Sequence, residues 1–275
     1  MKTIYHIKSA VIITFLIIAS LLLTSCEKVI EVDLNSSNPI LAVDGKMEMD
    51  STAWIRLSYT TDYFDNETPK YLEDATVIIS NLKDEIEELV YEGEGMYRGQ
   101  IMLGEENEKY TISIEDESDI FVASTELYGP TEIQEVTFEE SIFSNPHSNE
   151  ITYSPTIKFV DDPTVKNYYM VKIWKNDTLR SSKYTSFEDT FFNNNDTISY
   201  SPFSAGFKLG DHLKVKVYSI DKETDNYYDQ LNDNQGGGPP GGTPYNPRSN
   251  FGYEVMGYFT ASSYDEFDTV VNIGK

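Results

Sequence analysis

The residue best placed to do covalent chemistry in this chain is a thiol. Cys26 is the single cysteine among 275 residues, so no disulfide can close within the chain. Lys2 and Lys8 precede an almost wholly apolar run at residues 10–23. That run is short for a membrane span, which needs about 20 residues, and it suits the apolar region of a secretory signal. Leu23-Thr24-Ser25-Cys26 then follows the lipoprotein signal pattern of an aliphatic residue, two small residues and cysteine. The small residues let the segment enter a protease cleft, and the thiol takes up a diacylglyceryl group. The expectation is a signal peptide over residues 1–25 and a lipidated Cys26 at the new N-terminus. Burial contributes roughly 0.8 kcal/mol per CH₂, so one acyl chain holds marginally and two or three anchor stably. Glu27, Glu31 and Asp33 follow the cysteine, interrupted by Lys28. Such acids direct some Gram-negative lipoproteins to the cell surface; the face of the membrane stays open.

Other chemistries find little to stand on. Histidine occurs only at His6, His147 and His212, and no H-E-x-x-H is present. A serine hydrolase would show its G-x-S-x-G elbow and a nucleotide-binding protein its G-x-x-x-x-G-K-[ST] loop; neither occurs. The run Asn193-Asn194-Asn195-Asp196 and the acids from Asp221 to Asp225 lack the spacing of a calcium loop. The expectation is therefore no enzyme, no catalytic residue, no metal and no cofactor. A formal net charge of -25 repels nucleic acid and anionic lipid surfaces, and removal of residues 1–25 takes away two lysines and no acid.

The elements that would carry any site are strands. The 20 Tyr and 14 Phe favour them. Period-two alternation puts Ile55, Leu57 and Tyr59 on one face, and likewise Tyr110, Ile112 and Ile114. It does the same for Tyr169, Val171 and Ile173, and for Leu213, Val215 and Val217, with Lys214 and Lys216 outward. Residues 76–81 predict a central strand, residues 83–88 an acidic turn and residues 89–91 a further strand. Residues 186–203 read as a loop-rich excursion. The segment from Ser219 to Asp233 is the one helix candidate, with Tyr227, Tyr228 and Leu231 at helical spacing and Asp221 or Thr224 as its cap.

Gly129-Pro130 punctuates the chain. The predicted organisation is a tether and N-terminal β-sandwich over residues 26–130, then a second β-rich domain with a short helix over residues 131–275. The fold class is mainly β. A glycine–proline segment, Gly236, Gly237, Gly238, Pro239, Pro240, Gly241 and Gly242, cannot form a core. It is the candidate loop for a partner or ligand.

Several of these features form an ordered series. "G-x-Y" at Gly95, then "Y-x-I-x-I" from Tyr110, resembles the transthyretin-like type of β-sandwich, with Tyr97 and Tyr110 as core aromatics. "CEKVIEVDL", "PILAVDGKM", Asp162-Pro163 with Asn167-Tyr168-Tyr169, Gly210-Asp211, Tyr227-Tyr228 and Ser249-Asn250 follow in order. Together they resemble the domain-of-unknown-function 4249 family of bacterial outer-membrane lipoproteins. That resemblance implies a lipid-anchored envelope protein working with a TonB-dependent outer-membrane transporter in ligand capture or uptake. An envelope structural or adhesion module is the alternative, and a hydrolase with a cryptic acid pair stands behind both.

Overall fold

Alternation in sequence becomes alternation in burial. Tyr110, Ile112 and Ile114 are fully buried, and so are Ile55, Leu57, Leu213, Val215 and Val217. Each such side chain contributes roughly 1.5–3 kcal/mol by leaving water. The computed structural model describes residues 38–61, 69–117, 119–141, 150–180, 185–192, 196–202, 206–234 and 245–272. Cys26, the signal segment and the glycine–proline loop lie outside the described residues.

The strands of the first half are β1 (Leu41–Glu48), β2 (Thr52–Tyr59), β3 (Thr76–Asn81), β4 (Ile86–Glu88), β5 (Val90–Gly93), β6 (Met96–Leu103), β7 (Glu108–Asp116) and β8 (Asp119–Leu127). The second half holds β9 (Ile133–Glu140), β10 (Tyr153–Val160), β11 (Tyr168–Lys175), β12 (Thr178–Leu179), β13 (Thr185–Glu188), β14 (Thr197–Tyr200), β15 (His212–Ile220) and β16 (Val255–Val270). Among the described residues one α-helix, α1, spans Lys222–Asn232, and Asp189–Phe192 forms a 3-10 turn.

Three sheets result. The largest has nine strands, ordered β12-β11-β15-β16-β1-β2-β6-β5, with β13 beside β11. Sheet β4-β3-β7-β8 and sheet β14-β10-β9 are hydrogen-bonded separately and pack against it. The hydrophobic clusters follow the same division. One joins β1, β2, β3, β6 and β7, and is largely aliphatic. The other joins β10, β11 and β15 and is rich in aromatics, with Phe159, Tyr169 and Phe207 at its centre. Between Leu127 of the first and Ile133 of the second lies Gly129-Pro130.

One strand serves both cores. The first part of β16 pairs in parallel with β1, from Leu41↔Val255 to Glu48↔Ser262. Its second part pairs antiparallel with β15, from Ile220↔Ser262 to His212↔Val270. Phe259 and Ala261 belong to the first core, while Phe267 packs against the second. Close approach along this strand requires glycine at one point. Gly257 has φ +85°, and a Cβ there would stand 1.8 Å from the Val43 carbonyl oxygen, so any side chain meets both a strained backbone and an atom already in place.

Two expectations are corrected. Residues 83–88 are not all turn, because Ile86–Glu88 is a strand with Glu87 pointing inward. The β2–β6 register shifts between Thr52 and Trp54, whose partners are Leu103 and Arg98. The Glu87 carboxylate fills the gap by accepting from the amides of Gln100, Ile101 (2.9 Å) and Met102 (2.7 Å). Residues 186–203 likewise carry β13, the 3-10 turn and β14. Tyr97 and Tyr110 are core aromatics. The Tyr97 hydroxyl donates to Leu72 O at 3.0 Å, and that of Tyr110 to Leu103 O at 3.2 Å, which satisfies the one polar atom of each ring.

Candidate functional site: a groove beside the helix

The site begins with the residue after β15. Asp221 caps α1 by accepting from the Thr224 amide at 2.7 Å through Oδ1. Its Oδ2 accepts from the Thr125 hydroxyl at 2.9 Å and the Glu126 amide at 3.2 Å. Thr125 Oγ1 in turn accepts from the Ala261 amide at 3.0 Å. One buried carboxylate thus satisfies a helix end and ties it to β8 and β16. The cap aims α1 back over the large sheet, on the face turned away from the second core. There Tyr228 packs on Tyr168, Met170, Tyr218 and Ile220. Tyr227 stacks on Tyr258, with ring centroids 4.6 Å apart and planes inclined by 29°.

That stacked pair forms a wall between two cavities of ligand size. One, of about 440 Å³, lies between α1 and the sheet and includes Lys46, Trp54 and Lys172. The other, of about 420 Å³, includes Asn226, Gln230, Arg248, Asn250 and Tyr253. Tyr227 and Tyr258 line both. The second cavity is held open by backbone contacts. Gln230 Oε1 accepts from the Arg248 amide at 3.0 Å. The Asn250 side chain exchanges two hydrogen bonds with Phe259, accepting from its amide at 3.1 Å and donating to its carbonyl at 2.8 Å. Tyr253 is 89% exposed, and the Arg248 guanidinium lies 5.8 Å from its ring centroid.

Two buried hydroxyls line the first cavity. Thr224 and Tyr258 are 0% and 5% exposed, and their hydroxyls lie beside each other. Burial also pushes the Asp44 carboxyl up, with Arg56 and Lys46 acting against it. Each of the two cavities has a single lining carboxylate, Asp44 in one and Glu223 in the other. The aromatic, amide and guanidinium groups of the two linings have the chemistry to hold a polyhydroxylated molecule. Aromatic faces pack on the C–H faces of such a ligand, while planar amide and guanidinium groups bond its hydroxyls.

A third, smaller cavity of about 210 Å³ borders Asp161, Asp162 and Asn167. Burial raises the Asp161 carboxyl, and its bond from the Tyr169 hydroxyl at 2.7 Å acts against that. No group of three or more His, Cys, Asp or Glu side chains fit to hold a metal occurs among the described residues. No helix among the described residues is long and apolar enough to cross a membrane.

The residues singled out from sequence contribute unevenly. Tyr227, Tyr228 and Asp221 build the groove. The stem of the glycine–proline loop adjoins it: the Tyr245 amide donates to Asn234 Oδ1 at 3.0 Å, and the Asn234 side-chain amide donates to Tyr245 O. Lys46, Lys172, Trp54, Thr224 and Tyr258 were not foreseen as site residues. Only the outward alternation of lysines on β15 hinted that this face is basic.

Together these features define a predominantly β protein with a ligand-sized groove where its helix crosses the main sheet. The chain matches the family described as domain of unknown function 4249 (DUF4249) over residues 27–268, and it belongs to that family. No curated protein matches the sequence.

Proposed function

We propose that the protein is a lipid-anchored binding protein of the bacterial outer membrane. It captures a polyhydroxylated ligand in the groove beside α1 and works with a TonB-dependent transporter in its uptake. The observation that carries this reading is the pair of cavities meeting at the Tyr227–Tyr258 stack, with amide and guanidinium groups of Asn226, Gln230 and Arg248 beside it. The pattern around Cys26 supports the anchor. Tethering confines the protein to the membrane plane and raises its effective concentration there, so a modest affinity for a transporter suffices. Groove geometry without a carboxylate pair favours binding over catalysis.

Two measurements test the reading. The full-length chain in detergent, labelled and applied to an array of defined oligosaccharides, is expected to bind a subset and to lose it on Tyr227→Ala. Binding to none, or binding indifferent to Tyr227, counts against the groove. Affinity purification from solubilised membranes is expected to recover a large β-barrel transporter, and Cys26→Ala is expected to release the protein from the membrane. Failure to recover a barrel, or a Cys26→Ala chain that stays membrane-bound, removes the envelope part of the proposal.

A further inference from the structure

The smallest of the three cavities, beside the Gly129-Pro130 linker, borders a carboxylate pair that the groove does not use. Asp161 follows β10, lines this cavity and is 5% exposed. Asp189 opens the 3-10 turn after β13 and is 2% exposed. Asn167 holds both. Its backbone amide donates to Asp189 Oδ2 at 2.9 Å, and its side-chain amide donates to Asp161 Oδ1 at 3.2 Å. The Tyr169 hydroxyl donates to the same Asp161 Oδ1 at 2.7 Å. One oxygen of each carboxylate is thus fixed. The others, Asp161 Oδ2 and Asp189 Oδ1, are buried and without a partner, where buried polar atoms are normally bonded. The neighbouring charges do not answer them. Lys166, the basic side chain of the lining, pairs with Glu188. Asp162 is exposed, and its Oδ1 already accepts from the Thr164 amide and hydroxyl at 2.9 and 2.6 Å. Burial raises the Asp161 carboxyl first of all; the Tyr169 hydroxyl acts against that, and Asp189 then adds to the rise.

We infer that Asp161 and Asp189 bind a divalent cation of calcium type, which enters past Asp161 from the cavity. Carboxylate oxygens with no other donor to serve are the hard, charged ligands that such an ion takes. Two negative charges match one doubly positive ion, whereas a monovalent ion leaves one of them uncompensated. No group of three or more His, Cys, Asp or Glu side chains fit to hold a metal occurs among the described residues, so carbonyl oxygens and water complete the shell, as they commonly do around calcium. Asn167 and the Tyr169 hydroxyl fix the direction of the two ligands, the part played by donors that stand behind a metal ligand. The ion ties the turn after β10 to the turn after β13. These segments are distant in sequence and share no calcium-loop spacing, which is why the acids gave no signal there. A proton shared between the carboxylates is the competing way to relieve their repulsion, and the experiment separates the two. The site is independent of the groove and stands or falls without it.

The test uses full-length protein in detergent, stripped with EDTA and dialysed. Calcium chloride is expected to raise Tm by about 5–10 °C at roughly a hundredfold excess over Kd, with magnesium weaker and sodium without effect. Terbium is expected to take calcium's place and to emit on excitation of tyrosine, because the Tyr169 hydroxyl adjoins Asp161. Asp161→Asn and Asp189→Asn keep the shape and remove the charge. Each is expected to weaken calcium at least about tenfold and to remove the terbium emission that calcium competes away. Asp162→Asn, on the exposed acid already bonded by Thr164, is expected to keep both. Without added metal the variants are expected to melt within a few degrees of the wild-type chain, which separates lost binding from lost folding. A wild-type Tm indifferent to calcium overturns the site and assigns the pair to a shared proton. A rise that survives in the Asp161→Asn/Asp189→Asn double variant also overturns it and places the ions on the acidic surface. If a variant fails to fold, calorimetric titration of the wild-type chain decides: one calcium per chain, competed by terbium, supports the site, and several weak equivalent sites overturn it.

Discussion

Both halves of this protein bury carboxylates, and they treat them in opposite ways. In the first half Glu87 accepts from three consecutive backbone amides. Glu108 accepts from the amides of Leu82 and Lys109 at 3.1 and 3.0 Å, with Lys83 Nζ 3.7 Å away. In the second half Asp161 and Asp189 each keep one buried oxygen without a partner, and the Asp225 carboxyl has the Ser186 hydroxyl beside it. Every unpaired buried side-chain polar atom among the described residues falls between residues 161 and 263. An unsatisfied buried group costs about 1–3 kcal/mol, and proteins retain such costs where function needs them. The first half is therefore a finished sandwich, and the second holds its open polar groups around the helix and cavities. Asp221 sits between them and is fully bonded because it reaches both.

The largest expected effect tests whether the two halves stand or fall together. Gly257→Ala would drive a Cβ to 1.8 Å from Val43 O at φ +85°, on the strand common to both cores. A cost above about 4 kcal/mol is expected, seen as one cooperative transition shifted far down in temperature by calorimetry. Two separate transitions, with only the first moved, would show that β16 does not couple the cores.

Next in size is Glu87→Ala. It leaves the amides of Gln100, Ile101 and Met102 facing an empty position. About 3 kcal/mol is expected, which for a chain of this size lowers Tm by about 6–12 °C. Asp161→Asn, which removes a charge that was never fully answered, is expected to move Tm by no more than about 2–4 °C. Equal losses at the two sites would erase the contrast between satisfied and open carboxylates.

Asp225 sharpens it through pH. Burial pushes its carboxyl up to about 6, with Asp229 and Glu188 adding to the rise and Ser186 and Lys166 acting against it. The folded state then binds a proton that the unfolded chain, titrating near 3.8, has already released. Stability from this group is present below about pH 4 and falls as pH rises through 6. Asp225→Asn is expected to raise Tm by about 2–4 °C at pH 8, worth ~1 kcal/mol after solvent screening, and to change nothing near pH 3.5. A uniform shift at both pH values would assign the effect to packing.

Sequence periodicity disclosed what is local. Alternation placed Ile55, Leu57, Tyr110, Ile112 and Ile114 inward because a strand's side chains have period two whatever surrounds it. The helix declared itself through Asp221 and the spacing of Tyr227, Tyr228 and Leu231. Glu87 misled because its partners lie 13 to 15 residues onward, in a register shift that no local pattern announces. The groove was hidden for a stronger reason. Lys46 and Lys172 stand on β1 and β11, and only the parallel docking of β16 on β1 brings them to one cavity. Alternation puts Tyr169, Val171 and Ile173 on one face and so Lys172 on the other, but it cannot say that a helix returns over that face and encloses a cavity.

The smallest expected change in stability belongs to Tyr227→Ala, and it separates the halves by function. Tyr227 is half-buried, and Tyr228, packed on Tyr168, Met170, Tyr218 and Ile220, holds the helix without it. Losing the stack on Tyr258 costs about 0.5–1.5 kcal/mol, so thermal melts should show a fall of only a few degrees. Affinity for an oligosaccharide bound by the wild-type chain should fall at least tenfold, because the wall common to both cavities disappears. The same variant distinguishes scaffold from site: a tyrosine that mattered mainly for packing would lower Tm and leave affinity alone. A large loss of stability with unchanged binding would place Tyr227 with Tyr97 and Tyr110 as a core aromatic, and would move the ligand site away from the helix.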